Sequence, residues 1–60
     1  MLSQRELDVL RTMERDGGSF VSHLAKAWMF ADDDNERKLR MAFPEYWEEY
    51  ERMLDLNEGK

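Results

Sequence analysis

The only histidine of the chain, His23, lies within four residues of two serines, Ser19 and Ser22. Acyl-transfer enzymes pair a histidine with a hydroxyl because the imidazole takes the proton from the attacking oxygen. Both serines have simpler roles here. Ser19 stands where a helix cap is expected, and Ser22 lies at the polar edge of an otherwise apolar helix. We therefore interpret His23 as a structural residue and predict no catalytic side chain.

The acidic run DDDNE, residues 32–36, is the next candidate for chemistry, because calcium-binding loops begin in this way. An EF-hand loop needs Gly at its sixth position for the turn and Glu at its twelfth as a bidentate ligand. Counted from Asp32, those positions hold Arg37 and Phe43, so the pattern fails. Aspartate competes for backbone hydrogen bonds, which favours turns and helix caps. We predict a solvated turn with a helix cap, and no metal site.

Pairs of glutamates at helical spacing, Glu45 with Glu49 and Glu48 with Glu51, are the remaining candidates. Two carboxylates perform acid–base catalysis only when a cleft removes water from them to different degrees. A chain of 60 residues is too short to build such a cleft easily. The turn DGGS, residues 16–19, lacks the strand and lysine of a phosphate-binding loop. The sequence predicts a protein that is not an enzyme and uses no cofactor or small-molecule substrate.

Length and composition restrict the class of protein. Sixty residues form one domain at most, and a chain of that size buries only about 60% of its unfolded surface. There is no cysteine for a disulfide or a thiolate zinc site, so added stability would have to come from elsewhere, such as a partner subunit. The sequence has no apolar run long enough to cross a bilayer and no signal-peptide pattern. We expect a soluble, cytoplasmic protein with no membrane partner.

Helix signals divide the chain into four segments. Ser3 and Glu6 form a capping box, with Leu2 and Leu7 as its hydrophobic staple, and Gly17 is expected to close the first helix in the left-handed conformation. Ser19 is the predicted cap of a second, apolar helix. These signals predict helices over residues 3–16 and 19–31.

The second half of the chain predicts two more helices. Asp33 and Glu36 look like another cap pair, and Pro44 disfavours helical geometry at Phe43 while suiting the first position of a new helix. We predict helices over residues 34–42 and 44–56, a frayed tail at 57–60, and an all-α fold: a compact bundle of four helices, two long and two short, without a sheet. The predicted core consists of Leu7, Leu10, Met13, Phe20, Leu24, Trp28, Leu39, Phe43, Trp47, Tyr50 and Leu54.

The second helix has more apolar surface than a small bundle can cover. Phe30 projects to the same side as His23 and Lys26, away from the helix face that contains Phe20, and Met29 lies beside it. Aromatic residues and Met are enriched where proteins meet. The leading hypothesis is a protein–protein interaction module that binds another protein or a second copy of itself through His23, Lys26, Met29 and Phe30. The alternative is that a neighbouring helix covers Phe30.

Two other hypotheses follow from charge. The chain has 14 acidic and 9 basic residues, a net charge of −5, and residues 44–60 contribute six acidic and two basic residues, or −4. The acidic face of the fourth helix could imitate phosphates and occupy a basic nucleic-acid groove on another protein. The residues of this face are Glu45, Glu48, Glu49, Glu51 and Asp55. Conversely, Arg37, Lys38 and Arg40 suggest a helix-turn-helix that binds nucleic acid, although the overall acidity disfavours it.

The segments FVSHLAKAW and ADDDNERKLRMAFPEYWEEY carry a resemblance to small uncharacterised proteins encoded by phages and prophages. In that group an apolar helix leads into an Asp/Asn turn, an Arg-rich short helix and an FPEYW-like segment. The likeness covers residues 19–50, including Asp32, Arg40, Phe43, Pro44 and Trp47. The resemblance implies a phage accessory protein that binds or inhibits a host factor, and it implies no catalytic residue.

Overall fold

The computed structural model describes residues 2–58, and that range contains four α-helices and no β-strand. They are α1 (Gln4–Asp16), α2 (Ser19–Phe30), α3 (Asp33–Ala42) and α4 (Pro44–Glu58). The predicted all-α, four-helix fold is therefore confirmed. Helix α4 extends through residues 57 and 58, which the sequence assigned to a frayed tail, and residues 59–60 of that tail lie outside the described residues.

The N-terminus of α1 has the predicted capping box. Ser3 Oγ accepts a hydrogen bond from Glu6 N at 3.2 Å, and Ser3 N donates to Glu6 Oε1 at 2.8 Å. Each side chain thus pairs with a backbone N–H at the end of the helix. The hydrogen bond from Ser3 N lowers the pKa of the Glu6 carboxyl, because it favours the charged form.

The turn between α1 and α2 differs from the prediction in two ways. Gly17 has φ −79° and ψ 159°, which is extended backbone, so the expected left-handed closure is wrong. Glycine is required there by a close approach instead, since a Cβ would lie 2.6 Å from both Met13 O and Val21 Cγ1. Gly18 is the N-cap of α2 and Ser19 its first residue, so Ser19 is not the cap.

The third and fourth helices begin close to their predicted positions. The cap of α3 is Asp32, whose Oδ1 accepts a hydrogen bond from Asn35 N at 2.9 Å, so the predicted Asp33 is one residue too late. Phe43 leaves helical geometry with φ −130° and ψ 54°, and α4 begins at Pro44, as the proline predicted.

Helix α1 is the centre of the packing, because its contacts with α2 and α4 are the most extensive in the fold. Helices α2 and α4 meet through large aromatic side chains, including Trp28 and Trp47, whose ring centroids are 5.2 Å apart. Helix α3 has no buried residue and contacts α2 and α4 only sparsely. The buried apolar core is Val9, Leu10, Met13, Val21, Ala25, Trp28, Trp47 and Tyr50.

The predicted core is correct in part, because the structure also buries Val9, Val21 and Ala25, which the predicted set did not contain. Leu10, Met13, Trp28, Trp47 and Tyr50 are buried. Four half-buried members of the predicted set pack against them: Leu24, Leu39, Phe43 and Leu54. Leu7 is half-buried as well.

Phe20 is the exception in that set, because it is 60% exposed. Helix α2 is rotated so that Val21, Ala25 and Trp28, spaced four and three residues apart, point at α1. The side of α2 that the sequence assigned to the core is turned toward α3 instead.

Candidate protein-binding surface

The side of helix α2 that faces α3 is open to solvent. Between the two helices lies a groove with a volume of about 440 Å³. We call it the α2–α3 groove; its lining residues are Ala27, Ala31, Asn35, Lys38, Leu39 and Ala42. Three of the six are alanines, which keep the groove wide because they project only a methyl group.

An aromatic cluster closes one end of this groove. Phe20 packs against Phe43 with ring centroids 6.3 Å apart and against Tyr46 at 6.2 Å, and Phe43 and Tyr46 are 5.9 Å apart. These separations lie in the range of favourable aromatic pairs. We call Phe20, Phe43 and Tyr46 the aromatic corner. Ala42 lines the α2–α3 groove and also the small pocket formed with Phe43 and Tyr46, so the corner and the groove adjoin. Phe20 remains 60% exposed, which leaves apolar surface open to solvent there.

The surface predicted from the sequence lies on another side of α2. Phe30 is 89% exposed, so the alternative in which a neighbouring helix covers it is wrong. His23 and Lys26 are also exposed. We call Phe30, His23 and Lys26 the outer face. Met29 does not belong to it, because that side chain is half-buried against the core on the opposite edge of the helix.

The two polar residues of the outer face have internal partners. His23 Nδ1 lies 2.7 Å from the carbonyl oxygen of Ser19, one turn earlier, which is the structural role expected for this histidine. Lys26 Nζ lies 3.9 Å from a carboxylate oxygen of Glu14 on α1. Neither contact covers Phe30. Whether the outer face binds a partner stays a prediction.

Each basic residue of α3 lies near a carboxylate of the same chain. Arg37 Nη2 and Lys38 Nζ lie 2.6 Å and 3.3 Å from the carboxylate of Asp34. The Arg40 guanidinium is 4.1 Å from the centroid of the Trp47 ring and 3.5 Å from Glu6 Oε2. A carboxylate beside each cation weakens the attraction that phosphates would feel, which disfavours the nucleic-acid hypothesis.

The predicted acidic face of α4 is split by the fold. Arg5 of α1 lies 3.4 Å from Glu51 Oε2 and 2.6 Å from Asp55 Oδ1, so these two carboxylates tie α4 to α1. Glu45, Glu48 and Glu49 are exposed. Burial, followed by the charge of the neighbouring Glu49, raises the pKa of the Tyr50 hydroxyl.

A concavity larger than the α2–α3 groove lies where the N-terminal ends of α1 and α3 meet the C-terminal end of α2. Its volume is about 580 Å³, and its lining residues are Leu2, Glu6, Leu7, Met29, Ala31, Asp32, Asp33 and Glu36. The four acids come from the caps and first turns of α1 and α3, so helix capping accounts for their presence. Within residues 2–58, no cluster of three or more potential ligands has an arrangement that could hold a metal ion.

Sequence reasoning missed the α2–α3 groove because it assigned the side of α2 that contains Phe20 to the core. The available signal was a set of small residues, the alanines at positions 27, 31 and 42, in two segments joined by a short turn.

No helix in the described part of the chain has both the length and the apolar character to span a bilayer. Comparison of the chain with protein-family models, curated proteins and solved structures found no match.

Proposed function

We propose that this protein is a non-enzymatic protein–protein interaction module that binds its partner through the α2–α3 groove and the aromatic corner. The observation that carries the proposal is Phe20, a large aromatic side chain that stays 60% exposed at the end of an open apolar groove. Contiguous exposed apolar surface is a common property of protein-binding sites. Aromatic residues are also enriched among the side chains that contribute most to binding.

The weak attachment of α3 supports the same proposal. Helix α3 forms one wall of the groove but buries no side chain of its own. A partner seated in the groove would cover Leu39 and Ala42 and would remove apolar surface from water on both α2 and α3. Burial of apolar area stabilises a complex by roughly 25 cal/mol per Å² before the costs of association are subtracted.

The resemblance to small phage and prophage proteins is consistent with such a module. A phage accessory protein needs no active site if its task is to occupy a surface of a host protein or to assemble with itself. Soluble, cytoplasmic behaviour fits this role and remains a prediction from the sequence.

A second candidate function uses the acidic face of α4. Glu45, Glu48 and Glu49 are exposed on it, whereas Glu51 and Asp55 pair with Arg5. A nucleic-acid mimic acting through the exposed carboxylates would lose partner binding steeply when salt is raised. Binding through the apolar groove would change little over the same range, so a salt titration of the complex separates the two candidates.

Site-specific photo-crosslinking tests the proposal. A photoreactive phenylalanine analogue is placed at position 20, at position 30 on the outer face, and at position 48 on the acidic face. We expect a protein adduct at position 20. Excess unlabelled wild-type protein should suppress an adduct with a different protein, and the Phe20→Gln variant should not. An adduct with a second copy of the chain is recognised by its mass instead, because unlabelled wild-type protein is itself the partner in that case. Adducts confined to position 30 or 48 would move the binding surface to that face. The lack of both a competed adduct with another protein and an adduct of twice the mass of the chain would refute a binding function.

A further inference from the structure

We infer that the partner seated on this surface is a second copy of the same chain, with the two α2 helices antiparallel and Phe20 of each copy inserted into the α2–α3 groove of the other. This inference rests on the proposed function, because it names the occupant of the same surface. It follows from the spacing, volume and charge of features that lie on one side of α2.

The projecting side chain and the groove are spaced for a two-fold arrangement. Phe20 and Ala27 are seven residues apart, which is about 10 Å along a helix and nearly two full turns, so both lie on the same side of α2. In an interface with two-fold symmetry, every contact occurs twice. If Phe20 of one copy meets Ala27 of the other, then Ala27 of the first copy meets Phe20 of the second. An axis halfway between Phe20 and Ala27, beside Leu24, satisfies this condition.

The groove is large enough for the aromatic ring. An apolar cavity of about 150 Å³ accommodates benzene, and the α2–α3 groove measures about 440 Å³ and is open to solvent. Ala27, Ala31 and Ala42 add no bulk to it, so two α2 helices can approach closely. Leu39 and the aliphatic stem of Lys38 supply apolar contacts at its wall.

Charges at the two ends of the surface favour the same orientation. Lys38 stands at the groove; its Nζ lies 3.3 Å from Asp34 of the same chain, but the side chain is 70% exposed and still faces solvent. Glu45 adjoins the aromatic corner beside Tyr46. Both side chains are exposed. In the antiparallel arrangement, α3 of both copies lies on the same side of the paired α2 helices, and the two ends of the surface are exchanged between copies. Lys38 of one copy is therefore placed toward Glu45 of the other. A parallel arrangement loses this pairing of opposite charges, which otherwise helps to fix the orientation of the complex.

The surface required is within reach of so small a chain. A standard stable interface removes roughly 800 Å² from each partner, and the accessible surface of this chain is 4294 Å². Dimerisation would therefore cover about one fifth of the accessible surface of each copy. A chain of 60 residues with no disulfide is also one of the kind that oligomerisation commonly stabilises.

Sedimentation equilibrium of matched variants is the first test. The wild-type chain should form a dimer, and Phe20→Gln should raise its dissociation constant at least about 100-fold, because two buried rings are lost per dimer. Phe30→Gln makes the same change on the outer face of the same helix and should leave the constant unchanged. Circular dichroism shows whether Phe20→Gln folds. If it does not, Ala27→Lys provides an independent test, because it fills the groove at an exposed position and should prevent dimerisation.

Disulfide trapping tests the geometry, because the chain has no cysteine of its own. Position 24 meets its own counterpart at the proposed axis, so Leu24→Cys should form a covalent dimer on oxidation. Lys26→Cys lies on the outer face and should not. The Cα atoms of a disulfide are typically 4.4–6.8 Å apart, a range that only residues close to the axis reach. Preferential cross-linking through Lys26→Cys would overturn the groove arrangement in favour of the outer face.

The two proposals fail in distinguishable ways. A wild-type chain that stays monomeric at all concentrations overturns the inference of a second copy. If position 20 then gives a competed photo-adduct with a different protein, the interaction function stands with another occupant. If position 20 gives no competed adduct, the groove has no binding role. An adduct of position 20 with twice the 7.3 kDa mass of the chain supports the second copy.

Discussion

Replacing Gly17 by alanine tests how the first turn of this fold is specified. A Cβ at this position would lie 2.6 Å from Met13 O, 2.6 Å from Val21 Cγ1 and 2.7 Å from Val21 Cβ. The φ angle of −79° is open to any residue, so the expected cost comes from these contacts alone. Met13 O belongs to the backbone of α1 and Val21 is buried against α1. Neither can move aside without shifting a helix.

The size of the effect follows from two opposing contributions. Overpacking in a well-packed site typically costs about 1–3 kcal/mol, and contact with an immobile carbonyl belongs at the upper end of that range. Alanine also restricts the unfolded chain, which returns about 0.4–1 kcal/mol. We therefore expect Gly17→Ala to lower the free energy of unfolding by about 2 kcal/mol. Total stability for 60 residues is about 3–9 kcal/mol, so this is a large share.

Urea unfolding followed by far-UV circular dichroism measures this change, and the neighbouring glycine is the matched control. Gly18 has φ −70° and no heavy atom within 4 Å of an added Cβ. Gly18→Ala gains from the restricted unfolded chain and loses from the poor capping ability of alanine, so its stability should stay within about 0.5 kcal/mol of wild type. The thermal midpoint of Gly17→Ala should fall by roughly 8–16 °C.

Gly17→Asn separates the steric explanation from a conformational one. Asparagine tolerates left-handed backbone better than alanine does, so a left-handed turn would make Gly17→Asn the milder change. Under the steric explanation Asn is at least as destabilising as Ala, because it has the same Cβ and more atoms behind it. The reasoning is refuted if Gly17→Ala lies within about 0.5 kcal/mol of wild type, or if Gly17→Asn is clearly the more stable variant.

Three further predictions concern the core and the ion pairs. Arg40→Lys should lower the free energy of unfolding by about 0.5–1 kcal/mol in urea titrations and change the fluorescence of the chain, because a planar guanidinium stacks on Trp47 better than an ammonium does. The folded pKa of Glu6 is lowered, so its contribution to stability is present above the unfolded value of about 4.3 and is lost as the pH falls through the lower folded value. Thermal midpoints between about pH 6 and pH 3 should therefore decline less steeply for Glu6→Gln than for wild type, whereas equal slopes would contradict the assignment. Trp28→Ala should abolish cooperative unfolding, since it costs about 3–5 kcal/mol at a fully buried site. Trp28→Phe should keep a cooperative transition, because it fills much of the space and removes an indole N–H that has no hydrogen-bond partner among the described residues.

The elements of this fold that the sequence predicts well are the ones that local chemistry controls. Ser3 and Glu6 satisfy each other's backbone groups within one turn, and Pro44 restricts the residue before it by direct contact. Neither depends on the remainder of the chain. The wrong predictions at Gly17 and Phe20 concern positions whose environment is supplied by another helix. Gly17 is constrained by Val21 of α2, and the exposure of Phe20 depends on how α2 is rotated against α1.

The candidate binding surface shows the same division. The sequence indicated that α2 has more apolar residues than a small bundle can bury, and it left open whether Phe30 is exposed or covered by a neighbouring helix. It could not establish which other side of α2 stays open. An apolar helix can be rotated about its axis into several orientations of similar local energy. In the orientation that α2 adopts, Trp28 pairs with Trp47 across the core.

Sequence alone therefore determined the number of helices, their approximate ends, the lack of thiol chemistry and the position of the acidic residues, because each depends on residue type and short-range contacts. Tertiary structure decided the rotation of α2, the splitting of the acidic face by Arg5 and the opening of a groove between α2 and α3. These features depend on which side chains fill the space around α1. That choice is made by packing among residues far apart in the chain, which local sequence patterns do not encode.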